Sequence, residues 1–174
     1  NLDGPAAALQ FCQTLIEATL PYAACYKPNA AFFEALGEQG HAILKQVIEE
    51  IHQHDALVLL DAKRGDIGST ATAYAQAAYD ELGADAVTLS PLMGWDSVQP
   101  FVTGDYKGKG AFLLCKTSNP GSNDFLALPV QQNSSTSSTT TTLYEYIAQL
   151  VGQTWNAKCG SGDNLGLVVG ATDA

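Results

Sequence analysis

The residues best placed to do chemistry lie in Leu59-Leu60-Asp61-Ala62-Lys63-Arg64-Gly65-Asp66-Ile67-Gly68-Ser69-Thr70, where the apolar run from Ala56 to Leu60 gives way to four charges within six residues. An apolar run of that length reads as a buried strand. Charges at its C-terminal end then sit at the rim where α/β folds place their reacting groups. Asp61 and Lys63 stand two apart, so on a strand they project to the same side. A lysine ammonium held beside carboxylates suits proton transfer, or stabilisation of negative charge as it develops. Asp66 falls in the loop or first helical turn beyond. An ordinary solvated strand-to-helix loop is the competing reading, because short motifs arise by chance.

Elements that would position these residues are legible on both sides. Asp3-Gly4-Pro5 reads as a capped helix start, and Leu9, Cys12, Leu15, Ile16 and Leu20 recur at helical spacing until Pro21. Tyr22 to Lys27 reads as a short buried strand that also ends in a cation. Phe32, Phe33 and Leu36 form a helical turn closed by Gly37. A helix from about His41 to His54 carries Ile43, Leu44, Val47, Ile48 and Ile51 on one face. His52 and His54 near its end are either a metal pair or, more simply, polar residues at a helix C-terminus. A helix follows the charged stretch from about Thr70 to Leu82. Strands are expected at Asp85–Leu89, Ala111–Lys116 and Leu165–Val169, with Asp96 capping a short helix and a longer helix over Leu143–Trp155. The Ser/Thr-rich run 133–142 reads as a mobile surface loop.

Five strands alternating with helices imply an α/β fold with parallel strands and right-handed crossovers. Neither G-x-G-x-x-G nor G-x-x-x-x-G-K-[ST] is present, which weakens a nucleotide-binding open sheet. The 174 residues form a single domain, and 18 acids against 8 Lys and Arg give a net charge of −10. That balance argues against nucleic acid or an anionic membrane as partner. An anionic small substrate stays possible if Lys27, Lys63, Arg64 and Lys116 gather at one place. No apolar run reaches the ~18 residues of a membrane span. Cys12, Cys25, Cys115 and Cys159 lack metal-ligand spacing. Cys25 and Cys115 lie in apolar runs and are expected to be buried free thiols in a reducing, cytoplasmic setting.

Asp61-x-Lys63-x-x-Asp66-Ile67 resembles the D-x-K-x-x-D-I signature of the orotidine 5′-phosphate decarboxylase family. Further blocks resemble its longer bacterial-type branch: Lys27-Pro28-Asn29 before Ala31-Phe32-Phe33-Glu34, the run Leu60 to Ala71, Lys116-Thr117-Ser118-Asn119-Pro120-Gly121-Ser122, and Gly166-Leu167-Val168-Val169-Gly170-Ala171-Thr172. They stand in the family's order and cover almost the whole chain.

The resemblance implies a homodimeric (β/α)8 TIM barrel, of which this chain covers roughly strands 2 to 6, converting orotidine 5′-phosphate to uridine 5′-phosphate without metal or organic cofactor. Lys27, Asp61 and Lys63 would form its charge network, with Lys63 as proton donor. Asp66 would reach the partner subunit's site, accompanied across the interface by Ile67 and Thr70. Asn29 and Lys27 would contact the ribose or phosphate side, and Thr117 and Ser118 the pyrimidine. The family's first strand, with a ribose-binding aspartate, and its last two strands, with the phosphate site, have no counterpart here. The 174 residues alone are therefore expected to be an incomplete, inactive site. The alternatives are another phosphosugar decarboxylase of the same barrel group, which needs a metal-binding acid near the first strand exit, or a non-catalytic fragment that only binds or oligomerises.

Overall fold

A computed structural model describes residues 4–133, 138–159 and 162–172. In chain order the elements are α1 (Pro5–Thr19), β1 (Cys25–Tyr26), α2 (Ala30–Glu34), α3 (Glu38–Gln53), β2 (Leu57–Arg64), α4 (Gly68–Gln76), β3 (Ala86–Leu89), α5 (Gln99–Val102), β4 (Gly110–Lys116), β5 (Pro129–Asn133), β6 (Ser138–Thr142), α6 (Leu143–Gln149) and β7 (Leu165–Val169). The alternation of strand and helix is the expected α/β pattern. The chain divides into two compact units, Asn1–Arg64 with Thr72–Thr88, and Gly65–Ala71 with Leu89–Ala174.

In the first unit the strands lie in the order β1-β2-β3. β1 runs parallel to β2, with Cys25 opposite Leu57 and Tyr26 opposite Val58. Pro5 at the first helical position starts α1 where a missing N–H costs nothing. Asp3, expected as its cap, lies outside the described residues. α3 buries Ile43, Leu44, Val47, Ile48 and Ile51. Burying each such side chain is worth roughly 1.5–3 kcal/mol, so this face anchors the unit. Gly40 lets α3 approach α2: a Cβ there would overlap the Phe33 carbonyl oxygen.

Three expectations are corrected in this unit. The strand expected over Tyr22–Lys27 is only two residues long, and Cys25 is exposed rather than buried. Among the described residues β1 stands at the end of the strand order. β2 does not stop at Leu60 but runs on to Arg64. The charged residues Asp61, Lys63 and Arg64 therefore lie within the strand.

In the second unit β4 and β7 pair in parallel from Ala111 opposite Leu165, with a register shift between Leu114 and Lys116. Ala111, Leu113 and Cys115 alternate inward, as a half-buried strand requires. Asp96 does not cap a helix; it lies inside a 3-10 turn, Trp95–Ser97, that follows Gly94. The Ser/Thr-rich run is not simply a loop. Ser138–Thr142 forms β6, antiparallel to β5, with Val130 opposite Thr141 and Gln131 opposite Thr140. Threonine's β-branch favours a pleated surface, which composition alone hides. Residues 134–137 of that expected loop lie outside the described residues. Thr142 then starts α6, its N–H and hydroxyl both donating to Glu145 Oε2 at 2.7 Å. Among the described residues no helix is long and apolar enough to cross a membrane.

Candidate active site

β2 brings the charged pair together. Lys63 Nζ donates to Asp61 Oδ1 at 2.6 Å, so the two side chains meet as expected, but not by regular extended projection. The backbone achieves this in an unexpected way: Lys63 has φ 49°, in the left-handed region. That conformation costs an L-residue roughly 1–2 kcal/mol and clusters at functional sites. Thr88 on β3 serves both partners. Its Oγ1 accepts the Lys63 N–H at 2.9 Å and donates to Asp61 Oδ1 at 2.9 Å.

Asp61 is buried at 9 % exposure, whereas the Lys63 side chain is 48 % exposed. The other carboxylate oxygen, Oδ2, accepts from Asn29 Nδ2 at 3.2 Å. Asn29 Oδ1 meanwhile accepts from Ala31 N–H and caps α2. The Asp61 N–H donates to the Pro28 carbonyl at 2.9 Å, extending the β1–β2 pairing up to the site. A small hollow beside the pair is lined by Asn29, Ala30, Ala31, Glu34, Asp61, Ala62 and Lys63.

Burial acts most strongly on Asp61 and raises its pKa. Hydrogen bonds from Lys63 and Thr88, with the charges of Lys63 and Lys27, together outweigh it and hold the carboxyl below its ordinary value. A depressed carboxyl contributes stability above its unfolded pKa of about 4 and loses it as pH falls through the lower folded value. Lys63→Ala removes two of the lowering effects and leaves the burial. The Asp61 carboxyl should then titrate at higher pH, and acid unfolding should begin at higher pH. Carbon-detected NMR titration of wild type and variant reads this directly. An unchanged Asp61 titration would mean the pair is not electrostatically coupled.

The remaining expected site residues lie in the second unit, whose geometry stands by itself. Asp66 is half-buried, and its Oδ1 accepts the Ile67 N–H at 2.8 Å. Ile67 is 51 % exposed, and Thr70 is exposed on the first turns of α4. After β4, Thr117 Oγ1 donates to Asn119 Oδ1 at 2.7 Å, and Ser118 is exposed. Lys116 Nζ donates to Ser122 Oγ at 3.0 Å and to Asn123 Oδ1 at 2.7 Å, folding the loop back on the strand that carries it. Gly170 packs directly on Ser118: its N–H donates to the Lys116 carbonyl at 2.7 Å, and a Cβ there would stand 2.8 Å from Ser118 Cβ. Only glycine fits that approach.

Of the expected residues, the first unit thus brings Asp61, Lys63 and Asn29 into contact, with Lys27 acting on Asp61 through its charge. Asn29 is a partner of Asp61 and a helix cap, a role its place in the chain did not suggest. Thr88 was missed. The one available signal was a polar residue between Val87 and Leu89 in an otherwise apolar strand, and it is 2 % exposed. His52 Nε2 donates to Asp85 Oδ2 at 2.9 Å, and among the described residues no cluster of three His, Cys, Asp or Glu could hold a metal.

A model of the "Orotidine 5'-phosphate decarboxylase / HUMPS family" matches residues 4–171. A curated orotidine 5′-phosphate decarboxylase of Herpetosiphon aurantiacus is 53% identical over 167 residues, 96% of this chain and 57% of that relative. The solved structure of Leishmania donovani OMP decarboxylase has TM-score 0.85 and 48% identity, covering 99% of this chain and 63% of its own. Leishmania donovani UMP synthase gives the same TM-score and identity, over 99% of this chain and 35% of that one. The chain spans a little over half the length of the curated relatives it matches.

Proposed function

The chain belongs to the orotidine 5′-phosphate decarboxylase / HUMPS family, and from that premise we propose that the full-length protein removes carbon dioxide from orotidine 5′-phosphate to give uridine 5′-phosphate, the closing step of pyrimidine nucleotide synthesis. The fold is that of the family's (β/α)8 barrel in part. One observation carries the reading: a half-exposed lysine ammonium held 2.6 Å from a buried, depressed carboxylate at the end of β2.

Loss of carbon dioxide from the pyrimidine ring leaves an electron pair on a ring carbon with no adjacent π-system to absorb it. The Lys63 ammonium stabilises that charge as it develops and then delivers its proton to the same carbon. Asp61, held ionised, faces the departing carboxylate and repels it. That repulsion disappears when neutral carbon dioxide leaves. Lys27 balances Asp61. Asn29 faces the ribose or phosphate side, and Thr117 and Ser118 hold the pyrimidine.

The exposed Ile67 and Thr70, next to Asp66, fit a homodimer in which these three residues complete the partner's site. Exposed Cys25 and three further free thiols suit a reducing, cytoplasmic setting. The positive charge the reaction needs comes from Lys63, so no metal or organic cofactor is required. Release of labelled carbon dioxide from carboxyl-labelled orotidine 5′-phosphate by the full-length protein tests the reading. Turnover should survive exhaustive chelation. No release, or release that chelation stops, contradicts it.

A further inference from the structure

Lys63 keeps a backbone conformation that L-residues avoid, and such conformations persist only where the surroundings over-determine them. Thr88 secures the Lys63 N–H at 2.9 Å on one side. On the other side stands Arg64. Its Nη2 donates to Glu34 Oε1 at 2.7 Å, and its guanidinium lies over the Tyr74 ring, 5.1 Å from the centroid. Glu34 ends α2 and Tyr74 lies on α4, so two helices grip the residue that follows the strained one. An exposed ion pair alone holds little. A carboxylate and an aromatic face together fix a planar guanidinium far better, which lysine at this position would not reproduce.

We propose that Arg64, gripped by Glu34 and the face of Tyr74, is a positioning residue that holds Lys63 in its left-handed conformation and so aims the ammonium at Asp61. Without the grip, the chain after Lys63 relaxes towards the ordinary extended region. The Nζ then leaves its 2.6 Å contact, although the Arg64 guanidinium itself is engaged by Glu34 and Tyr74 and not by the charged pair. The catalytic consequence rests on the decarboxylase reading; the conformational one does not.

The test has two arms in the full-length protein. In the first, Arg64→Met lowers kcat for orotidine 5′-phosphate about 10–100-fold with KM within about threefold, because misplacing a reacting group costs rate rather than binding. Glu34→Ala, outside β2 and with a side chain 55 % exposed, does the same should the first variant fold poorly. In the second arm, urea unfolding is compared for Lys63→Gly and Lys63→Ala. Glycine accepts positive φ, so with the grip present its unfolding constant is about fivefold lower than alanine's. In an Arg64→Met or Glu34→Ala background the ratio falls to one or inverts, because alanine is no longer held under strain and glycine has more conformational freedom to lose. A ratio that stays fivefold overturns the proposal, as does kcat within about twofold of wild type in both variants. A protein that turns over no orotidine 5′-phosphate defeats the function reading alone, and the unfolding ratio still decides this one.

Discussion

Lys63→Ala in the full-length protein should lower carbon dioxide release from orotidine 5′-phosphate by about 10³–10⁴-fold. One group is being asked to do two jobs. Removing a positioned proton donor costs about 10²–10⁴-fold, and removing a charge that stabilises a developing anion costs about 10²–10³-fold. The two losses overlap rather than multiply, because they reside in one ammonium. The fold should survive. The Lys63 side chain is half-exposed, and Asp61 keeps its hydrogen bonds from Thr88 and Asn29. Far-UV circular dichroism should therefore match wild type at neutral pH. Turnover within tenfold of wild type would remove Lys63 from the chemistry. A collapsed spectrum would mean that the pair is structural instead.

The second large effect tests the proposed sharing of a site between the two subunits of a homodimer. Lys63→Ala and Asp66→Ala homodimers should each be inactive. Mixed and allowed to exchange, they should recover about a quarter of wild-type activity: in a two-fold dimer about half the molecules are heterodimers, each with one intact site of two. The intact site joins Lys63 of one subunit to Asp66 of the other. If Asp66 served its own subunit, every site in the mixture would carry one defect and activity would stay at the level of the parents. Asp66 sits in a short stretch, Gly65–Ala71, that belongs to a different compact unit from Lys63, and its neighbour Ile67 is 51 % exposed. A residue that leads out to an exposed apolar side chain is well placed to meet a second copy.

Much of the framework was legible because periodicity reports burial. α3 shows every apolar residue of its expected face inside, from Ile43 to Ile51. β4 and β7 lie where their apolar runs put them. The charged motif was legible as a pair, since spacing of two puts Asp61 and Lys63 within reach of each other. What stayed hidden depends on partners distant in sequence or on backbone angles. The left-handed turn at Lys63 has no residue signature, because glycine, the usual marker of positive φ, is absent there. Thr88 becomes a site residue only when β3 aligns beside β2. Cys25 is exposed on a strand of only two residues, which an apolar run of six does not reveal. β6 was masked by its composition: serine and threonine suggest a solvated loop, but threonine also favours a strand once β5 supplies a partner.

The central claim is that the Lys63 ammonium is the group that meets the reacting carbon, with the Asp61 carboxylate beside it. A crystal structure of the full-length protein with uridine 5′-phosphate bound tests it most directly. The account predicts Lys63 Nζ about 3–3.5 Å from pyrimidine C6, still in contact with Asp61. A pyrimidine whose C6 faces any other group, with Lys63 turned away to solvent, would contradict it.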